Sequence, residues 1–393
     1  MIPIKKPLVA TIICCCFLTG CWDKRELNEI AIAVAFGIDK SDEGFRVSAQ
    51  VVVPSAISSD KGAEGTPVLL FQADGETAYE AIRKMTKQVP RKIYPGHLKL
   101  LVIGEEMARE GIWDSLDLFV RDWEVRPDFS VVVARDRPAS DILRVPTALD
   151  TIPANKLFDM LENSSDNWSE VHKMTLFELL ADISSDGKDA VLTGILSSAD
   201  ADSNTGKEAT EEIHPSARLY FDNLAVFEKD RLVGWLDAEQ SKGFNYVAGN
   251  IKNTVETISC PEGGSVAIEV TKSDAKIKAS FSGGNPEMEI IIKNKGNVGS
   301  VQCGLDMKKP ESIHILDNLF EKKLTGIIEE TVKETQSRGR SDIFGFGQTI
   351  HRSHPDKWKS LKGEWDEHGF ENVPVKVKVE MNIRMTGTLL NPL

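Results

Sequence analysis

Apolar and polar positions alternate differently in the two halves of the chain. In the first half, short continuous apolar runs alternate with amphipathic stretches. The runs at 98–104 and 129–134 have the length and character of buried strands. Two Thr-x-x-Glu sequences, which start at Thr77 and Thr175, have the spacing of capping boxes and predict helix N-termini. Buried strands that alternate with helices predict an α/β layer.

The second half has the pattern of an antiparallel sheet covered by one long helix. A hairpin is predicted at 224–236, and short strands separated by Gly, Pro and Asn are predicted between 251 and 293. Apolar residues at spacings of three and four over 313–332 predict a long amphipathic helix. Alternation over 373–385 predicts a half-buried strand. The sequence therefore predicts a mixed, multidomain α+β fold.

The same patterns divide the chain into four segments. We predict a signal peptide over 1–20, an N-terminal α/β region over 22–197, a polar linker over 198–216 and a C-terminal α+β domain over 217–393. A single hydrophobic core rarely serves more than about 250–300 residues, so more than one domain is expected. Whether the N-terminal region is one domain or two interleaved ones stays open.

The first 21 residues have the arrangement of a bacterial lipoprotein signal. Two lysines are followed by an apolar run over 8–17, which is too short to span a bilayer, and Leu18-Thr19-Gly20-Cys21 resembles a lipobox. We predict that cleavage leaves Cys21 carrying a thioether-linked diacylglycerol, with an N-acyl chain as a further candidate. Two acyl chains hold a protein stably at a membrane. The alternatives are an ordinary cleaved signal, with Cys21 as a free thiol, and an uncleaved anchor.

The net charge argues against some classes of partner, and the cysteine content indicates one candidate disulfide. A net charge of −13 argues against nucleic acid as a partner and against electrostatic attraction to anionic lipid, so the membrane attachment must come from the acyl chains. Outside the signal, only Cys260 and Cys303 remain. An exported domain can oxidise such a pair, which makes it a candidate disulfide. Two separate thiols are the alternative, because a domain of this size does not need a covalent link.

Common catalytic motifs are missing, and we predict no catalytic residues. The sequence contains no Gly-x-Ser-x-Gly elbow, no His-Glu-x-x-His helix and no Walker loop. Five aromatic residues late in the chain form either a core or a partner surface, and large aromatic side chains favour the core. They are Phe344, Phe346, Trp358, Trp365 and Phe370.

Two groups of residues could suggest a metal site, and neither is favoured. The first approaches a calcium-loop register: Asp200, Asp202, Asn204 and Glu211. Thr205 stands where the sharp turn of such a loop needs glycine, so a solvated acidic linker is the better interpretation. The second group is His351, His354 and His368, which lie in a segment without helical periodicity or nearby cysteine. They are predicted to be surface histidines, and no metal or cofactor is expected.

Several stretches carry a combination of short motifs. These are GCWDKRELNE at 20–29, RKIYPGHLK at 91–99 with IGEE at 103–106, LAVF at 224–227 with VGWL at 233–236, SDIFGFG at 341–347 and the segment from Trp358 to Trp365. Together they resemble the Ger(x)C family, the C-subunit lipoproteins of bacterial spore germinant receptors. The resemblance covers nearly the whole mature chain, but the 198–216 linker and the cysteine pair are not part of it.

The resemblance implies a role that the residues alone do not show. It implies a non-catalytic subunit, lipid-anchored on the outer face of the spore inner membrane, that assembles with integral-membrane A and B subunits and responds to small nutrient germinants. We hypothesise that the residues directly after the lipid orient the ectodomain or contact a membrane partner: Trp22, Asp23, Arg25 and Glu26. A simple spacer is the alternative. A solute-binding lipoprotein that captures the germinant itself is the alternative function, and an exported wall hydrolase is disfavoured by the missing motifs.

Overall fold

The computed structural model describes residues 29–57, 66–147, 149–198, 217–339 and 341–385. The predicted signal peptide, the lipidation site and nearly all of the predicted linker lie outside these residues, as does the calcium-like register. Within the described ranges the chain forms two β-sheets, each covered by helices. The mixed α/β class and the long covering helix are confirmed.

The first sheet has nine strands in the described part of the chain. They are β1 Ile30–Ser41, β2 Gly44–Val52, β3 Val68–Gly75, β4 Lys92–Tyr94, β5 Leu100–Gly104, β6 Ser130–Ala134, β7 Val191–Ser197, β8 Leu219–Glu228 and β9 Arg231–Trp235. Their order is β3-β2-β1-β5-β6-β7-β8-β9, and β4 pairs with β1 beside β5. The four central strands run parallel, and an antiparallel arrangement continues the sheet on each side.

Helices cover both faces of the first sheet. They are α1 Pro54–Ile57, α2 Ala78–Lys84, α3 Glu105–Glu110, α4 Trp113–Arg121, α5 Ala139–Arg144, α6 Pro153–Asn167 and α7 Leu176–Ile183. One face packs against α2, α3, α4 and α7, and the other packs against α5 and α6. Because both faces are buried, β5 and β6 are apolar without alternation, as expected for parallel strands.

The two predicted capping boxes form to different extents. Thr175 and Glu178 make both hydrogen bonds of the box at the start of α7, which confirms that prediction. At the start of α2, Thr77 accepts a hydrogen bond from the Glu80 amide, but the Glu80 carboxylate accepts from the amide of Glu76 instead. Local sequence therefore determines both helix starts, although only one closes the reciprocal pair.

The second sheet has four strands in the described residues, in the order β10-β11-β12-β13. They are β10 Thr254–Ser259, β11 Ser265–Ser282, β12 Asn285–Val301 and β13 Val375–Met385. Its helices are α8 Ala238–Ala248, α9 Pro310–Glu334, α10 Phe346–Ser353 and α11 Pro355–Leu361, with short π-helical turns at Thr335–Gly339 and Trp365–Gly369. The long helix α9 buries Leu316, Phe320, Leu324 and Ile328 against this sheet, as its apolar spacing predicts.

The last strand corrects the expectation of a purely antiparallel second sheet. β10, β11 and β12 are antiparallel as predicted, but β13 pairs with β12 in parallel. The connection between β12 and β13 contains α9 and the helices after it, and a parallel pair requires such a long crossover. The direction of β13 thus depends on the end of the sheet at which the crossover brings the chain back.

The hairpin of β8 and β9 forms where the sequence predicts it. Its strands extend the edge of the first sheet beside β7, although the predicted C-terminal domain begins before them. Leu224 and Val226 on one face of β8 pack into the second core, and Ala225 and Phe227 on the other face pack into the first. A strand that is buried on both faces has apolar residues on both faces. Its sequence therefore fits either sheet and does not show to which one the strand belongs. The predicted domain boundaries stay predictions.

No helix within the described ranges is long and apolar enough to cross a membrane.

Candidate functional site

The two sheets meet at a junction built around the SDIFGFG segment. Asp342 of this segment is 1% exposed, and its carboxylate accepts three hydrogen bonds. The donors are the amides of Phe346 at 2.9 Å and Gly347 at 2.8 Å, and Trp365 Nε1 at 3.0 Å. The first two amides open α10, whose N–H groups have no partner within the helix. Asp342 therefore fixes the start of α10 and the position of Trp365 at once.

The same residue ties the second domain to the first. The Asp342 amide donates to the Asp189 carboxylate at 2.8 Å, and the Asp189 amide donates back to the Asp342 carbonyl at 3.0 Å. Asp189 also accepts from the Lys229 amide at 2.9 Å, at the β8–β9 turn. One pair of aspartates thus connects the approach to β7, the β8–β9 turn and α10.

Two glycines allow the backbones to come close at this junction. The Gln348 amide donates to the Gly187 carbonyl at 3.0 Å. Gly187 has a φ of +83°, and a Cβ there would lie 2.7 Å from the Gly347 Cα and 2.6 Å from the Trp358 ring. Any side chain at Gly187 would therefore separate the two domains.

Burial raises the pKa of Asp342 to about 7, and the nearby Asp189 carboxylate acts in the same direction. The three hydrogen bonds to Asp342 lower its pKa and only partly offset the loss of hydration. The junction therefore contains a carboxyl group that holds its proton at pH values where an exposed aspartate has lost it.

This raised pKa makes the stability of the protein depend on pH in a predictable direction. Below the ordinary pKa of 3.8, Asp342 is protonated in both the folded and the unfolded chain. Between pH 3.8 and about 7 the unfolded chain releases the proton first, so the contribution of this group to stability falls as pH rises. The fall approaches about 1.4 kcal/mol per pH unit within that window.

Asp342→Asn is the measurement that isolates this effect, because the amide does not titrate. Between pH 4 and pH 7, the free energy of unfolding of the wild type should decrease relative to that of the variant. Taking the difference cancels the titration of every other carboxyl group. A difference that stays constant over this range would show that Asp342 does not titrate there.

The late aromatic residues form a core, as predicted. All five are less than 9% exposed, and their rings pack in sequence from Phe344 through Phe346 and Phe370 to Trp365 and Trp358. Trp365 of this cluster donates to the Asp342 carboxylate, which is itself buried. The alternative interpretation, an exposed contact surface, does not hold.

Beside this core, a cavity of about 480 Å³ lies between the two sheets. Its walls come from α7, α8, β11 and α10, and from the segment that precedes α7. Apolar and polar groups contribute about equally to the lining, and Phe244 and Phe344 are among its largest apolar side chains. The polar lining includes His172, Asn250 and Arg352, and its other charged residues are Glu178, Asp182, Lys188 and Asp189. Apolar walls combined with a few placed polar groups are the usual features of a small-molecule site.

The predicted lipidation site, partner contacts and cysteine pair lie away from this junction or outside the described ranges. Cys21, Trp22, Asp23, Arg25 and Glu26 precede the first described residue, so their predicted roles stay predictions. Cys260 and Cys303 are joined by a disulfide with Cα atoms 6.5 Å apart, at the end of the second sheet. Within the described part of the chain, no cluster of three or more His, Cys, Asp or Glu side chains could hold a metal ion.

The sequence did not identify His172, Asn250 or Asp189. None of them lies in a recognisable motif, and they are brought together only by the packing of the two domains. Asp342 lies within the SDIFGFG motif, but the motif did not predict the role of this aspartate at the junction. A single aspartate in the otherwise apolar and glycine-rich run 342–347 was the signal available.

Fold and site together define a mixed α/β protein of two sheets, which are joined by a buried aspartate and have an open cavity at their junction. Two family profiles match consecutive parts of the chain: the spore germination protein N-terminal domain over residues 23–196, and the spore germination B3/GerAC-like C-terminal domain over 222–387. The chain belongs to the Ger(x)C family of spore germination proteins.

Individual proteins agree with this assignment over almost the full length. The chain is 31% identical to spore germination protein KC of Bacillus subtilis (strain 168), over 96% of this chain and 94% of that protein. It is 25% identical to spore germination protein B3 of the same organism, over 95% of each. The crystal structure of the GerBC protein superposes with a TM-score of 0.54 at 21% identity, over 92% of this chain and 99% of that one, and shows the fold.

Proposed function

We propose that this protein is the lipid-anchored, non-catalytic C subunit of a spore nutrient germinant receptor. The observation that carries the proposal is the match to spore germination protein KC over 96% of the chain, together with both domain profiles. The lipobox-like Leu18-Thr19-Gly20-Cys21 supports attachment to the outer face of the spore inner membrane. The absence of common catalytic motifs from the sequence supports a role in assembly rather than in chemistry.

In this proposal, integral-membrane A and B subunits are the partners, and the lipid on Cys21 keeps the ectodomain beside them. An acidic chain has little electrostatic attraction to anionic lipid, so loss of the two acyl chains should release it. We therefore expect the anchor to be required for germination in response to nutrients.

The test compares Cys21→Ala with the wild type and with a full deletion in the native spore-former. Cys21→Ala should leave the membrane fraction, and the nutrient response should fall to that of the deletion. Germination by a stimulus that bypasses nutrient receptors should stay normal. Cys16→Ala is a matched control, because the same change then falls within the signal peptide that cleavage removes. A Cys21→Ala protein that stays in the membrane and responds normally would contradict the proposal.

A second prediction concerns the residues directly after the lipid. Replacing Asp23, Arg25 and Glu26 together should reduce co-purification of the A and B subunits, because these charges are held at the membrane surface by the anchor. Replacing Asp117 and Arg121, which form an exposed ion pair on α4, is the control. Such a pair contributes at most about 1 kcal/mol to stability. If the triple variant assembled and germinated like the wild type, these residues would be a spacer.

Direct capture of the small-molecule germinant is a second candidate function. The cavity of about 480 Å³ between the sheets favours it, because this volume falls within the usual range of ligand sites, about 300–1,000 Å³. Equilibrium binding of nutrients to the purified protein would distinguish the two roles.

A further inference from the structure

Hydrogen bonds around the cavity fix the orientation of its polar groups. Asn245 Nδ2 donates to the carbonyls of Ser169 at 3.0 Å and Val171 at 3.2 Å, so the Asn245 side-chain oxygen must act as an acceptor. Asn250 Nδ2 donates to that oxygen at 3.0 Å. The amide of Asn250 is thereby oriented by two main-chain carbonyls that cannot change their role.

The orientation of Asn250 in turn determines the tautomer of His172. Asn250 Nδ2 lies 2.9 Å from His172 Nδ1, and an amide nitrogen can only donate. His172 Nδ1 is therefore the acceptor, and the ring proton is on Nε2. Burial lowers the pKa of His172 to about 4, and the Glu178 carboxylate only partly offsets this, so the ring is neutral near pH 7.

The main chain of His172 is held as firmly as its ring. Its amide donates to Thr193 Oγ1 at 2.8 Å, and the same hydroxyl donates back to the His172 carbonyl at 2.8 Å. The ring packs edge-on against Phe244, with the two ring centroids 5.9 Å apart. The side chains of His172 and Asn250 are therefore held in place before any ligand binds.

This arrangement leaves unused hydrogen-bonding capacity in the cavity wall. Within the described residues, neither His172 Nε2 nor the Asn250 side-chain oxygen has a partner, so one donor and one acceptor of the lining residues remain unused. Arg352 also lines the cavity with an exposed side chain, and it has no hydrogen bond or ion pair with another residue of the described ranges. Lys188, by contrast, is paired with Asp182 at 2.8 Å. Of these two described cations, Arg352 is thus the one that remains available for a ligand.

We propose that this cavity binds a small organic molecule with an apolar body, one carboxylate and a neutral group that both donates and accepts hydrogen bonds. Arg352 binds the carboxylate, since its guanidinium matches a carboxylate in shape and charge. His172 Nε2 and the Asn250 oxygen bind the neutral polar group, and Phe244 and Phe344 contact the apolar body. The inference rests on the cavity's own atoms and holds whether or not the chain serves in a germinant receptor.

N-acetyl-L-phenylalanine is a suitable probe, because it combines an aromatic body, an amide and a carboxylate. Its methyl ester is the matched control that lacks only the carboxylate charge. Calorimetry or ligand-observed NMR on the full chain in a membrane mimetic should show saturable binding of the acid at concentrations up to about 1 mM. The ester should bind at least about tenfold more weakly, because a charge-assisted hydrogen bond is lost.

Three variants locate the binding. Arg352→Gln should lower the affinity for the acid to that for the ester, and it should leave the affinity for the ester unchanged. Arg144→Gln removes an exposed arginine of α5, paired with Asp141, and should change nothing. Ala248→Leu enlarges an exposed side chain at the end of α8 that lines the cavity, and should weaken binding of both compounds. Thermal melts should show that all three variants fold, since none replaces a core residue.

Absence of saturable binding of either compound to the wild type would overturn the proposal. Equal binding of acid and ester that Arg352→Gln does not alter would overturn the assigned ligand class. Binding that survives Ala248→Leu unchanged would place the site elsewhere on the protein. None of these outcomes depends on germination, so a failure here is distinguishable from a failure of the receptor assignment.

Discussion

Asp342→Ala should destabilise the protein by about 3–5 kcal/mol. The substitution leaves the amides of Phe346 and Gly347 and Nε1 of Trp365 without their acceptor, in a core from which water is excluded. Each buried donor without a partner costs about 1–3 kcal/mol. The start of α10 should loosen, and with it the hydrogen bonds between Asp342 and Asp189 that join the two domains.

Denaturant unfolding followed by tryptophan fluorescence would measure this loss, because Trp365 itself changes its environment. Asp186→Ala is the control. It lies in the same loop as Asp189, but its ion pair with Lys362 is more than half exposed on both sides. Such a pair contributes at most about 1 kcal/mol. If both variants lost the same small amount of stability, the buried aspartate would not be what holds the junction together.

Replacing Cys260 and Cys303 together by alanine should cost up to about 4 kcal/mol, the second large effect. The disulfide spans 43 residues of sequence, and closing a loop of that length removes much of the conformational entropy of the unfolded chain. Alanine is preferable to serine because Cys260 is only 8% exposed and packs into the second core. A hydroxyl at that position would add an unsatisfied polar group.

The comparison requires denaturant unfolding of both proteins with and without a reductant. Wild type in reductant should approach the stability of the double variant, and the variant itself should not respond. Because Asp342 and Asp189 hydrogen-bond to each other and not to either cysteine, their contacts should survive the loss of the disulfide. A wild type that unfolds at the same denaturant concentration in both conditions would show that the bond contributes nothing to stability.

Local patterns determined most of the secondary structure. The strand at 130–134, the helix at 176–183 with its Thr175 cap, and the amphipathic helix at 310–334 all lie where periodicity predicts them. These features depend on neighbours within one or two turns of the chain, so the sequence is sufficient to reveal them. The resemblance to the family was also evident from the sequence, because several short motifs occur together and in order along the whole chain.

The sheet to which a strand belongs depends instead on distant partners. The run Leu224–Phe227 is apolar on both faces and fits either domain, and only packing against β7 decides its place. The direction of β13 depends on the path of the crossover through α9. Neither is a property of the strand's own residues.

The candidate site shows most clearly which features follow from local sequence and which depend on contacts between distant residues. The sequence is sufficient to place Asp342 in a glycine-rich aromatic segment and to indicate Cys260 and Cys303 as a candidate pair. The contacts of Asp342 with Asp189 and of His172 with Asn250, beside a cavity lined by residues from both halves of the chain, arise only in the tertiary structure. Contacts between residues so far apart arise from burial of whole helix and sheet faces, which no local pattern of residues records.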